Sequence, residues 1–133
     1  MSNILPIGAT PKSVDFNFTG SAETAGTAQT ISASKVGIIT GFSLEQVQNS
    51  TGDYTRAVLL INGQEMHALE AYSTTPNIIS GAGDTRRYTR KAVSFSADQQ
   101  PILGPGDTIN VKIKSSTTVL VGHARVEAYE YTP

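Results

Sequence analysis

The sequence predicts an all-β domain, an antiparallel β-sandwich of about eight strands, and three observations carry that expectation. Apolar and polar residues alternate with period two in several separate stretches. Two strong turn sequences, Asn62-Gly63 and Pro105-Gly106, stand between or before such stretches. Charged residues make up only 16% of the chain, below the roughly 25% of an average soluble domain, while serine and threonine fill 29 of 133 positions. Threonine is β-branched and fits a half-buried pleated surface, and serine fits turns.

The elements follow in order. Val14, Phe16 and Phe18 alternate with Ser13, Asp15, Asn17 and Thr19, giving one apolar and one wet face. Val36, Ile38, Thr40, Phe42 and Leu44 are expected to share a face opposite Lys35, Gly37, Gly41 and Ser43. Asn62-Gly63 divides the apolar run Val58 to Ile61 from Gln64 to Ala71; both residues tolerate the positive φ of a type I′ turn, so this is a hairpin. Pro105-Gly106 fits the centre of a type II turn leading into Asp107. Ile109, Val111 and Ile113 alternate faultlessly with Thr108, Asn110, Lys112 and Lys114, and Ser115-Ser116 turns that strand back. The expected strands are 13–19, 28–33, 35–45, 55–61, 64–71, 87–95, 107–114 and 117–131. The last is too long to run straight and is expected to bend at Gly122. Helical readings are poor: Ser43 to Gln46 mimics a capping box, but Asn49 to Gly52 would end any helix within two turns. Jelly-roll topology is the commonest solution for eight strands of this kind.

A chain of 133 residues fits one domain, assigned to 13–133, preceded by an extended arm at 1–12. In residues 1–12, Pro6, Gly8 and Pro11 discourage helix and regular strand, so the segment reads either as a disordered terminus or as an arm that hides Ile4, Leu5 and Ile7 against the sandwich or a neighbouring subunit. Two polar segments, 49–55 and 72–86, read as long loops.

Composition narrows the function classes. A formal net charge of −1 gives no field for nucleic acid or anionic membrane. Cysteine is absent, which excludes disulfides and thiolate metal sites. No stretch approaches the roughly 20 apolar residues of a membrane span, and residues 1–12 lack a signal peptide's pattern, so a soluble chain without an export signal is expected. The two histidines, His67 and His123, belong to no nucleophile motif, and Gly41 to Glu45 only superficially approaches G-x-S-x-G. Glu65 and His67, two apart on a strand, would point the same way, yet two ligands are too few for zinc. Gly81 to Asp84 lacks the lysine of a phosphate-binding loop. The expectation is a chain without catalysis, metal or cofactor that works by binding or assembly.

Two groups of residues are candidates for contact. Arg86-Arg87-Tyr88-Thr89-Arg90-Lys91 holds four of the ten basic residues in six positions. On a strand, Arg86, Tyr88 and Arg90 face one way and Arg87, Thr89 and Lys91 the other, which favours salt bridges to partner subunits or nearby acids over one anion patch. Tyr54, Tyr72 and Tyr88, near the long loops, are candidate platforms for a sugar, although the chain has no tryptophan.

The run Gln100-Pro101-Ile102-Leu103-Gly104-Pro105-Gly106-Asp107-Thr108-Ile109-Asn110-Val111, followed by Thr118-Val119-Leu120-Val121-Gly122, resembles a phrase of viral and phage β-sandwich proteins. There a proline–glycine–aspartate turn launches the penultimate strand and a glycine-containing last strand closes the sheet. The whole chain resembles the small capsid decoration (cement) proteins of tailed phages, which are cysteine-free, Ser/Thr/Gly-rich jelly rolls. That resemblance implies a structural virion protein on the capsid surface, made in the host cytoplasm. It implies a homo-oligomer, with a trimer favoured, that binds the major capsid protein and clamps the shell through its arm. Ile4, Leu5, Ile7, Arg86, Arg87, Arg90 and Lys91 would be the partner contacts. The alternative is a carbohydrate- or receptor-binding sandwich, for example from a tail fibre, using Tyr54, Tyr72 and Tyr88.

Overall fold

The computed structural model describes residues 6–48, 54–72 and 87–133. They form eleven strand segments: β1 (Thr10–Pro11), β2 (Val14–Gly20), β3 (Thr24–Ala25), β4 (Gln29–Thr30), β5 (Val36–Gln48), β6 (Tyr54–Ile61), β7 (Gln64–Tyr72), β8 (Arg87–Ser94), β9 (Ile102–Leu103), β10 (Thr108–Ser115) and β11 (Val119–Tyr131). β1 and β2 lie end to end along β11, β3 and β4 along β10, and β8 and β9 along β5. The eleven segments therefore make eight strand positions in two antiparallel sheets. Sheet A runs β1/β2-β11-β5-β8/β9, and sheet B runs β3/β4-β10-β6-β7.

The pairing has a simple logic. The first position pairs with the eighth, the second with the seventh, the third with the sixth and the fourth with the fifth. This is one long antiparallel hairpin, four strands deep, whose tip is the β6–β7 turn. Wrapping it so that β11 meets β5 and β10 meets β6 closes the two sheets, which is jelly-roll topology. The expected sandwich is thus present, with every expected strand in place.

The turns match their chemistry. Asn62 and Gly63 have φ of 53° and 77°, the two positive values of a type I′ hairpin. Gly106 has φ of 85°, and the Asp107 amide donates to the Gly104 carbonyl at 3.1 Å, closing the type II turn. The two turns also hold each other. The Asn62 side-chain amide donates to Asp107 Oδ1 at 3.1 Å, and the Thr108 amide donates to Asn62 Oδ1 at 3.0 Å. The Gly104 amide, then Asn62, hold the Asp107 carboxyl below its ordinary range.

Between the sheets lies one core, with Ile39, Phe42, Leu44, Ala57, Leu59, Ile109, Val111 and Ile113 essentially inaccessible. Burying a side chain such as Leu59 contributes about 2 kcal/mol. Three inner residues of the central strand β11 are small, Gly122, Ala124 and Ala128, and all are buried. That leaves room for the larger side chains of its neighbours, and the Phe18 ring of β2 lies directly over Gly122. β11 accordingly has a register shift between Val119 and Gly122, beside the glycine where a bend was expected.

Two readings of facing are corrected by bulges. In β5, Ile39 pairs with Ala128 and Gly41 with Glu127, so Thr40 is an extra residue. The inward set is therefore Gly37, Ile39, Phe42, Leu44 and Gln46, and not Val36, Ile38 and Thr40 with Phe42. Thr40 is buried all the same, its hydroxyl bonded to Glu127 Oε1 at 2.6 Å. In β7, Leu60 pairs with Glu65 but Leu59 with His67. That shift puts Glu65 on the outer face and His67 inside, where its ring meets Phe42 at 6.3 Å and Phe95 at 5.6 Å. Glu65 and His67 do not share a face.

At the end of β11, the buried Glu130 carboxylate accepts from the Ser32 amide at 3.2 Å and the Ser32 hydroxyl at 3.0 Å, and pairs with Lys12 at 3.5 Å. Burial works to raise this carboxyl, but the two Ser32 donors and Lys12 outweigh it and hold it below its ordinary range. A group with a lowered folded pKa stabilises the fold above its unfolded pKa, and that stabilisation is lost as pH falls through the folded value. Glu130→Gln should cost about 1 kcal/mol at neutral pH. In thermal melts, wild type and variant should converge as pH drops through and below the ordinary carboxylate range; a constant gap would show that the charge is not what Ser32 and Lys12 hold.

Candidate functional site

The sequence-derived contact residues fall at separate places. Ile4, Leu5 and Arg86 lie outside the described residues, as do 49–53 and 73–86 of the two long segments. Ile7 is fully exposed, just ahead of β1, which adds to sheet A by pairing Thr10 with Glu130 and Pro11 with Tyr129. The segment is held by a hydrogen bond from the Lys12 amide to the Ala128 carbonyl at 2.8 Å and by the Lys12–Glu130 ion pair. Residues 10–12 are therefore anchored to the sandwich while Ile7 stands clear of it.

The basic cluster lies at the diagonally opposite corner of the same sheet. β1 and β8 occupy the two edges of sheet A. Thr10 is level with Gly37 through Glu130, whereas Lys91, Arg90 and Arg87 pair with Leu44, Glu45 and Gln48. The seven or more residues between Gly37 and Leu44 amount to about 23 Å along the sheet, and three strand spacings add about 14 Å across it. Tyr88 and Arg90 take the outer face and Thr89 the inner, as alternation requires. Arg90 and Lys91 are exposed, and neither makes an ion pair with a described residue.

Beside Arg90 runs a polar ladder that sequence reasoning missed, because its members come from four strands distant in the chain. Asp15 of β2 bonds Arg125 of β11 at 2.5 Å, and His123 Nε2 lies 3.1 Å from the same carboxylate. His123 Nδ1 is 3.8 Å from Glu45, whose other oxygen accepts from the Tyr88 hydroxyl at 2.8 Å. Arg125 holds Asp15 below its ordinary range, and the Glu45 bond raises Tyr88. Tyr88 is thereby committed to the ladder and is not an open platform.

Tyr54 and Tyr72, by contrast, meet. They are directly opposed on β6 and β7, with ring centroids 5.6 Å apart and tilted by 37°. Both take the outer face of sheet B, at 38% and 48% exposure, and no described residue bonds either hydroxyl. Next to them a shallow cleft of about 120 Å³ is lined by Tyr54, Arg56, Glu65, Lys112, Lys114 and Glu23, over the buried Val58. Lys112 Nζ is 3.1 Å from Glu65, and Arg56 lies 3.7 Å from Glu65 and 3.8 Å from Glu70. Lys112, followed by Arg56, holds the Glu65 carboxyl below its ordinary range.

No protein-family model matches the chain. No curated protein matches it either. Among solved structures, it is similar to a chain of the extra small virus of the giant freshwater prawn Macrobrachium rosenbergii, seen in a virus-like particle. The two are 10% identical with a TM-score of 0.43, over 97% of this chain and 82% of that one. It is similar to a chain of infectious bursal disease virus, Gx strain, at 11% identity and a TM-score of 0.39, over 92% of this chain but only 32% of the viral one. It is also similar to TmCBM61, solved with β-1,4-galactotriose, at 12% identity and a TM-score of 0.34, over 88% of this chain and 69% of that one.

Proposed function

We propose that this chain is a structural virion protein that binds a capsid shell and ties neighbouring shell subunits together, a decoration or cement protein on the capsid surface. The observation that carries the reading is the placement of two unlike contact elements at opposite corners of one rigid sheet. One is an apolar tip, Ile7, anchored through β1 and Lys12. The other is the exposed pair Arg90 and Lys91, without acidic partners among the described residues. A protein that must bridge two subunits needs separated, chemically different grips, and a sandwich with a packed core keeps their spacing fixed. Jelly rolls serve in viral capsid proteins and in lectins, and the topology suits the role. On this reading the partner is the major capsid protein, and the chain works as a homo-oligomer, with a trimer favoured, so that weak grips add by multivalency.

The test is co-sedimentation of the purified chain with capsid shells of the same virus. Ile7→Ser should weaken binding about 10-fold or more, since burying one isoleucine is worth about 2 kcal/mol. Its melting temperature should stay unchanged, because Ile7 is fully exposed and packs on no described residue. Reversing charge at Arg90 and Lys91 together should weaken binding further and flatten its salt dependence. If both variants sediment with shells as well as the wild type does, these two grips are not the contact and the reading fails.

A further inference from the structure

We propose that, independently of shell binding, the outer face of sheet B binds a neutral saccharide, with a sugar ring lying on the Tyr54–Tyr72 pair and its polar edge in the adjoining cleft, which Tyr54 but not Tyr72 lines. The two rings form a slightly folded aromatic surface on the solvent side of the sheet, away from the core. The apolar C–H face of a pyranose lies flat against such a surface while its hydroxyls project from the rim. The tyrosine hydroxyls, unengaged by described residues, stand at that rim.

The polar lining fits the rest of the ring. Every sugar hydroxyl both donates and accepts, so neighbouring hydroxyls need donors and acceptors side by side. Arg56, Glu65 and Lys112 provide that alternation, and their mutual ion pairs, at 3.1 Å and 3.7 Å, hold the groups in place before a ligand arrives. Charge balance selects the class of sugar. The lining sets Arg56, Lys112 and Lys114 against Glu23 and Glu65, and Arg56 is also paired with Glu70, which stands outside the lining, at 3.8 Å. A sulfated or carboxylated sugar would meet those acids and would have to displace Glu65 from its cations, whereas a neutral sugar displaces only water. A volume of about 120 Å³ admits a single ring and does not enclose it, being below the roughly 300–1,000 Å³ that buries a drug-sized ligand. Affinity for one site should therefore be weak, on the order of a millimolar dissociation constant, and useful only when many copies are displayed together.

The experiment is two-dimensional NMR of the isotope-labelled full chain, titrated with the methyl glycosides of glucose, galactose, mannose and N-acetylglucosamine, and separately with a sulfated heparin disaccharide. At least one neutral glycoside should shift the amides of Tyr54, Arg56 and Tyr72 saturably. Tyr54→Ala and Tyr72→Ala should each weaken that binding 10-fold or more, and Tyr54→Phe should keep it within about 2-fold, because the ring supplies the platform. Unchanged resonances in the rest of the spectrum would show that the variants remain folded. The proposal is overturned if no neutral glycoside moves these amides, if the sulfated disaccharide binds more tightly than every neutral one, or if binding survives both alanine variants. Because the probes are free sugars and no shell is present, failure here leaves the shell-binding reading standing, and the reverse holds too.

Discussion

Gly122→Ala should lower stability by about 3 kcal/mol, near the upper end of what overpacking costs in a well-filled core. A methyl group added at this position would come within 2.3 to 2.8 Å of three atoms of the Phe18 ring. The ring has little room to retreat: it is 6% exposed, stacks on Phe16 at 5.9 Å, and belongs to the core between the sheets. For a chain of this size the loss should appear as a fall of roughly 10 °C in melting temperature. Pairing the change with Phe18→Leu isolates the clash: the double variant should lose clearly less than the two single losses added together. Simple additivity would mean that the glycine is needed for some reason other than the ring above it.

Gln46→Ala should cost about 3 kcal/mol by a different route. Gln46 is 1% exposed and stands on the inner face of β5, with its amide donating across the sandwich to the Ala71 carbonyl at 3.3 Å. The neighbouring carbonyl of Tyr72 accepts from the Thr89 hydroxyl of β8 at 3.1 Å. Side chains of sheet A thus hold the end of β7, which among the described strands pairs with β6 alone. Truncation opens a cavity and removes a buried donor from the Ala71 carbonyl, and the two penalties add. Denaturant melts measure the global loss. Hydrogen exchange should show it concentrated at Leu69 to Tyr72, because that end of β7 would fray first. Uniform acceleration over all strands would argue against a local clasp.

Most of the architecture was legible because a one-sided strand leaves a period-two trace, and each long trace from Val14 to Tyr131 lies where a strand is found. The turns were legible because only asparagine and glycine sit easily at the positive φ of Asn62 and Gly63. β1, β3 and β9 were not, since two residues carry no period and become strand only by pairing with a long neighbour, and of the expected strand 28–33 only Gln29–Thr30 is strand. The bulges left no trace either, and they decide the candidate site. A two-residue turn alone would set Tyr54 opposite Ala71 and turn Met66 inward. The extra residue in β7 sets Tyr54 opposite Tyr72 and brings His67 to the core. The tyrosines could therefore be named individually from the sequence, but not as a pair. The Asp15–His123–Glu45–Tyr88 ladder was hidden for a related reason: its contacts join residues up to 108 positions apart.

The nested pairing also sets the order in which this chain can fold. Among the described residues only the β6–β7 hairpin is local; β2 finds its place against β11, about a hundred residues later, and β5 is flanked by β11 on one side and β8 on the other. During synthesis, β2 and β5 would emerge with the gap between them unfilled until β11, about a hundred residues after β2, is made. Such a chain should fold slowly, over milliseconds to seconds, once β11 is available. Until then it carries open strand edges that favour pairing with other nascent copies, so its yield should depend on expression rate and on chaperones more than its final stability would suggest.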